Sequence, residues 1–125
     1  MGRKIKIISR DIECIGELMD TKTAEAIWKA LPIGGRVNTW GDEIYFSIPV
    51  KMESENPSEV VSEGDLGYWP PGKAFCIFFG PTPASKGNEI RPASPVNVFG
   101  KIIGDSKVFK KVSDNTEIKI EKAED

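Results

Sequence analysis

Asp65-Leu66-Gly67-Tyr68-Trp69-Pro70-Pro71-Gly72-Lys73-Ala74-Phe75-Cys76-Ile77-Phe78-Phe79 is the stretch on which the fold turns. Its two extended runs, Asp65 to Trp69 and Ala74 to Phe79, bracket a Pro-Pro-Gly turn that combines fixed with free backbone. The second run is apolar on both faces, so a sheet that contains it needs a cover on each side. A barrel interior supplies one cover; a helix, a neighbouring loop or a ligand must supply the other.

Working upstream, Arg36 to Trp40 and Glu43 to Ile48 read as a hairpin joined at Gly41-Asp42, where glycine allows the tight turn. Ile44, Phe46 and Ile48 share one face of the second strand, with Glu43, Tyr45 and Ser47 on its reverse. Lys4 to Ile8 alternates charge and aliphatic residues, and Asp11 to Leu18 follows a short Ser9-Arg10 break, which predicts another hairpin. Between the hairpins the period changes. Ala24, Ile27, Trp28 and Leu31 form one helical stripe, and Pro32 with Gly34-Gly35 is expected to stop it.

Met52 to Ser62 is polar and reads as a surface loop, although Glu59-Val60-Val61 could begin a strand. Downstream, Pro81 to Pro95 is a long loop stiffened by prolines 81, 83, 92 and 95. Val96 to Ile103 reads as a strand, Ser106 to Val112 as one or two helical turns, and Glu117 to Lys122 as a last strand with Ile118 and Ile120 inward. About eight short strands, one strong helix and frequent Gly/Pro turns predict a mainly β fold, a closed eight-stranded antiparallel barrel with one or two short helices. Ile44, Phe46, Ile48, Val96, Val98 and Ile118 are expected to point into it, and residues 1–125 suit a single domain.

Composition narrows the chemistry. The chain has 125 residues and a formal net charge of -2, so no global basic field gathers nucleic acid. No apolar run approaches the roughly 20 residues of a membrane span, and no basic, apolar leader begins at Met1; a cytoplasmic, reduced setting is expected. Cys14 and Cys76 stand far apart without metal-ligand spacing and read as small buried hydrophobes. The chain contains no histidine. That excludes Ser-His-Asp and Cys-His triads and imidazole acid–base catalysis. The glycines lack the strand–glycine–helix order of a phosphate fingerprint, so neither a metal nor a cofactor is expected.

At Asn38-Thr39-Trp40-Gly41-Asp42-Glu43-Ile44-Tyr45-Phe46, Gly64-Asp65-Leu66-Gly67-Tyr68-Trp69-Pro70-Pro71-Gly72-Lys73-Ala74 and Ser94-Pro95-Val96-Asn97-Val98-Phe99-Gly100-Lys101-Ile102, the chain resembles a family of small bacterial and archaeal proteins described as atypical cyclophilins. The resemblance spans almost the whole chain. It implies a cyclophilin-like eight-stranded barrel and brings no established activity. True cyclophilins are prolyl isomerases with a Phe-x-Arg segment and a Phe-Met-x-Gln-Gly-Gly segment, whose arginine weakens the partial double bond of the amide by donating to the prolyl nitrogen. This chain lacks the second segment, and Gly34-Gly35-Arg36-Val37 shares only Arg-Val with the first. Arg36 is therefore a position to test rather than a match.

Cyclophilins bind substrate on the outer surface of the barrel, so by resemblance the outward aromatic and amide-bearing residues matter. Asn38, Trp40, Glu43, Tyr45, Tyr68, Trp69 and Asn97 are the ligand-binding candidates, for a small molecule or a proline-containing peptide. Packing beneath the long loop is the alternative for the rings, and a satisfied turn for Asn38. Arg91 suits an anionic ligand group or a carboxylate of the chain, and Lys73 a solvated turn. Three functional readings follow: a binding module, a weak prolyl isomerase using Arg36 or Arg91, and a structural oligomer joined through Ala74 to Phe79.

Overall fold

The structure, a computed structural model, describes residues 3–123. Its strands are β1 (Lys4–Ser9), β2 (Ile12–Leu18), β3 (Ile33–Arg36), β4 (Asn38–Thr39), β5 (Glu43–Ser47), β6 (Asp65–Trp69), β7 (Ala74–Phe78), β8 (Asn97–Ile103) and β9 (Glu117–Lys122). They form one antiparallel sheet in the order β3-β9-β1-β2-β8-β6-β7-β5-β4. The two ends of that order, β3 and β4, are separated in the chain by Val37 alone, so the sheet curls into a barrel whose seam is this residue. The Val37 N–H donates to the Thr116 carbonyl at 2.9 Å, and its carbonyl accepts from the Asn115 N–H at 2.7 Å. The chain there leaves β9 and crosses to β5, which splits one predicted strand into two and makes nine strands of eight.

β7 has the two covers that its composition demands. Phe75 and Ile77 enter the main core with Ile44, Phe46, Leu66 and Phe99. The Phe75 ring lies 5.5 Å from Phe46 and 5.1 Å, edge to face, from Phe99. On the reverse, Ala74, Cys76 and Phe78 pack with Val61, Ile90 and Val96. The loops of the same chain thus supply the outer cover that the oligomer reading assigned to a symmetry mate. Two isolated bridges, Ser58 to Val96 and Val61 to Ile90, tie these loops together above the sheet.

Two expectations need correction. Val96 and Val98 face the outer cluster, not the barrel interior. Leu66 pairs with Gly100 but Gly67 pairs with Val98, so β8 carries one extra residue at Phe99. Ile102 faces inward, and an unbroken alternation from it would carry Val98 and Val96 inward as well. The bulge reverses the parity. Asn97 and Phe99 occupy the inner side instead.

The second correction concerns Gly34-Gly35. Helix α1 (Lys22–Ala30) starts at Thr21, whose side chain accepts the Ala24 N–H, and it ends against Leu31. Gly34 and Gly35 then belong to β3, paired with Lys119 and Ile118. They are strand glycines for a steric reason: a Cβ on Gly34 would stand 2.8 Å from the Ile118 carbonyl oxygen, and one on Gly35 3.2 Å from the Phe46 ring. A 3-10 segment, Ser106–Lys111, carries the fully buried Phe109 into the core.

If the outer cover is a true core, Phe78→Ala should destabilise as much as Phe75→Ala, each by about 3–5 kcal/mol. Denaturant unfolding measures both. A near-neutral Phe78→Ala would mean that the loops only rest on the sheet.

Candidate functional site

Strand register places the candidates on faces. Across the outer side of the barrel, Asn38 lies opposite Tyr45, Tyr45 opposite Cys76, Cys76 opposite Gly67, and Gly67 opposite Val98. Glu43 lies opposite Phe78 in a parallel row, and Ala74 lies between Ser47 and Trp69 in another. Asn38, Glu43, Tyr45 and Trp69 therefore share one face. Tyr45 and Trp69 pack against the outer apolar cluster. Trp40 follows β4 in the hairpin, half-buried, and its backbone N–H donates to the Glu43 carbonyl at 2.9 Å.

Tyr68 and Asn97 lie on the other side and are corrected accordingly. Tyr68 is fully buried in the barrel core. Its hydroxyl donates to the Val50 carbonyl at 2.6 Å and accepts from the Met52 N–H at 3.2 Å, which ties the 50–52 segment to the barrel wall. Asn97 is 1% exposed. Its Oδ1 accepts from the Glu55 N–H at 2.8 Å, while Nδ2 donates to Thr23 Oγ1 at 3.2 Å and to the Glu53 carbonyl at 2.9 Å. Both amide hydrogens are spent, and the side chain is a latch between β8, α1 and the 53–55 loop.

Glu55 completes that latch. Its carboxylate accepts from the Thr23 hydroxyl at 2.7 Å and from the Lys22 and Thr23 N–H groups, each at 2.9 Å. The hydroxyl bond foremost holds Glu55 below the usual carboxylate range. A negative charge at the positive end of α1 is also where the helix field favours one.

Glu43 is the unusual group of the outer face. It is 5% exposed, and burial pushes its carboxyl from 4.5 up to about 7, offset in part by the neighbouring Cys76 thiol. Burial, then the Glu43 charge, pushes the Cys76 thiol well up, so it stays an inert thiol. A carboxyl poised near neutrality can give or take a proton.

The arginines differ. Arg91 donates to Glu89 through Nε at 2.7 Å and Nη2 at 3.3 Å, and its Nη1 lies 3.8 Å from Glu59. Its guanidinium is clamped between carboxylates, the salt-bridge alternative. Arg36 is more open: Nη1 donates to the Asn115 carbonyl at 3.0 Å, and Nη2 lies 3.6 Å from Glu117.

Trp69 organises a cleft that the sequence did not point to. Its indole N–H donates to Ser94 Oγ at 2.6 Å. Its ring lies so close to the turn that a Cβ on Gly72 would meet it at 2.8 Å. The indole thus pins the Pro70–Gly72 turn to the loop before β8. Beside it opens a cleft of about 490 Å³ walled by Pro57, Pro70, Pro71 and Pro95, with two cations, Lys51 and Lys73, and one carboxylate, Glu53, in its lining. Lys73 adopts a left-handed φ of 50° where the turn leaves toward β7. Pro57, Pro70-Pro71 and Pro95 are far apart in the chain; the Ser58–Val96 bridge joins the first segment to the last, and the Trp69 strut joins the Pro70–Gly72 turn to the loop before β8.

A family model described as cyclophilin-like matches residues 3–121. The chain belongs to this cyclophilin-like family. The solution structure of the hypothetical protein AF2241 from Archaeoglobus fulgidus is similar to it, with 44% sequence identity, a TM-score of 0.83, and coverage of 98% of this chain and 95% of that one. No curated protein matches the chain. Within this cyclophilin-like barrel, the Tyr68 to Lys73 run has a division of labour: Tyr68 braces inward, Trp69 outward, and the prolines and lysine line the cleft.

Glu43 makes the stability of the cyclophilin-like domain depend on pH. A carboxyl raised in the folded state binds its proton more tightly there than in the unfolded chain, so its contribution is greatest below pH 4.5 and is lost as pH climbs to about 7. At about 1.4 kcal/mol per pH unit, that window is worth on the order of 3 kcal/mol. Glu43→Gln should therefore be the more stable protein at pH 8, with the gap closing by pH 4.5. Unfolding free energies at several pH values test this, and a gap independent of pH would refute it.

Proposed function

We propose that this cyclophilin-like domain is a binding module that accepts a small molecule or a short proline-containing peptide on the outside of its barrel, in the cleft walled by Pro57, Pro70, Pro71 and Pro95. The observation that carries the reading is the Trp69 strut, which fixes two of the walls to each other. Proline walls lose little entropy on binding and offer flat apolar contact to extended chains. Lys51 and Lys73 suit a carboxylate on the ligand. Glu43 is the group poised for proton transfer, and it faces the loop-covered cluster rather than this cleft, which favours binding over turnover. We place the module in the cytoplasm, where the free thiols of Cys14 and Cys76 stay reduced.

Short proline-containing peptides with a free C-terminal carboxylate should give saturable amide shifts at residues 51–54, 70–73 and 94–95 in an NMR titration. Lys73→Gly keeps the left-handed turn and removes the charge, and should weaken binding by about 3–10-fold. Absence of saturation at millimolar peptide would end this reading.

A weak or atypical prolyl isomerase is the second reading. Of its two arginines, only Arg36 keeps an open guanidinium edge. In a proline-peptide assay, turnover is expected to fall more than about 100-fold below that of ordinary cyclophilins. A rate within about tenfold of theirs, lost in Arg36→Ala, would reverse the order of the two readings.

A further inference from the structure

The outer face of β3, β9 and β1 carries a depression with a steric cause. Gly35 faces the Phe46 ring, so Gly34 faces out, opposite Lys119, which in turn lies opposite Ile8. A Cβ at Gly34 would press on the Ile118 carbonyl at 2.8 Å. The position is held by glycine, and the backbone there is bare. Above it lies a cleft of about 680 Å³ with Arg10, Arg36 and Lys119 in its lining beside Ile8 and Pro32. A second cleft of about 570 Å³ shares Arg10, Arg36 and Glu117 with the first and adds Asp114.

The charges here run against the chain as a whole. Three cations and one carboxylate, Glu117, line the first cleft, in a chain of net charge -2. Glu117 is 80% exposed and stands 3.6 Å from Arg36, a loose and solvated pair. Arg10 has no side-chain hydrogen bond or ion pair among the described residues, and its backbone is held at a φ of 56° in the β1–β2 turn. Lys119 lies 3.3 Å from Glu121 and keeps further donors.

We propose that this cleft is an oxyanion site, which takes a small ligand with a carboxylate or phosphate group on a flat apolar body. The Arg10 and Arg36 forks grip the anion, for which planar guanidinium geometry is suited. The body lies on the bare Gly34 backbone against Ile8 and Pro32, where the missing side chain permits close approach. The site shares no residue with the proline-walled cleft and does not depend on it.

The test is an NMR titration of the full chain with phenyl phosphate, benzoate, inorganic phosphate and the neutral benzyl alcohol. The two aromatic anions should give saturable shifts at Ile8, Gly34, Gly35 and Lys119, weakened by added salt, and the tighter of the two identifies the anion. Arg10→Gly suits the left-handed turn and so keeps the fold, and with Arg36→Gln it should weaken binding by about fivefold or more in each case. Inorganic phosphate should bind more weakly than phenyl phosphate, because it lacks the apolar body. No saturable shift at about 10 mM of either aromatic anion, an equal response to benzyl alcohol, or indifference to both substitutions would each overturn the proposal.

Discussion

A strand that is apolar on both faces cannot be left with one of them in water. β7 imposes this on the whole molecule, because Phe75 and Ile77 require a barrel on one side while Cys76 and Phe78 require a lid on the other. The barrel is obtained by closing the sheet through Val37. The lid is obtained by folding two irregular loops, 51–63 and 81–95, back across the outer face and bridging them to each other. At roughly 2–3 kcal/mol for each large side chain withdrawn from water, the lid cluster offsets much of the cost of ordering loops that have little regular structure of their own.

The strands were legible because their signals are local. Alternation in Lys4 to Ile8, turn chemistry at Gly41-Asp42 and Pro70-Pro71-Gly72, and the helical stripe from Ala24 to Leu31 all survive in the structure. What was not legible depends on partners distant in the chain. The bulge at Phe99 is set by how β8 meets β6, and nothing in Val96 to Ile103 announces that its alternation will reverse. Gly34-Gly35 looks like a stop signal when read alone and becomes strand backbone only once β9 and Phe46 crowd against it.

The candidate site divides along the same line. Tyr68 and Trp69 were grouped by proximity in sequence, yet neighbours on a strand point to opposite faces, and each acts as a strut for a different segment. Asn97 reads in the sequence as an outward amide, but its amide is consumed by Glu53, Glu55 and Thr23, none of which lies within 40 residues of it. Glu43 was legible as a carboxylate on the reverse of an aliphatic stripe. Its perturbed acidity was not, because it comes from burial in the folded barrel beside Cys76, a residue of another strand.

The Asn97 latch has a dynamic consequence. Lys51 and Met52, at the lip of the proline-walled cleft, are followed within a few residues by Glu53 and Glu55, which hold Asn97 on β8 and the first turn of α1. The lip cannot lift as a free flap without uncapping the helix and exposing a buried amide. Its opening should therefore be a cooperative sub-global event, slow in hydrogen exchange and shared by the Lys22 and Thr23 amides, unlike the fraying of an ordinary surface loop. Rapid entry of a ligand would then require a cleft open at rest, and any ligand too large for it would have to wait on the helix.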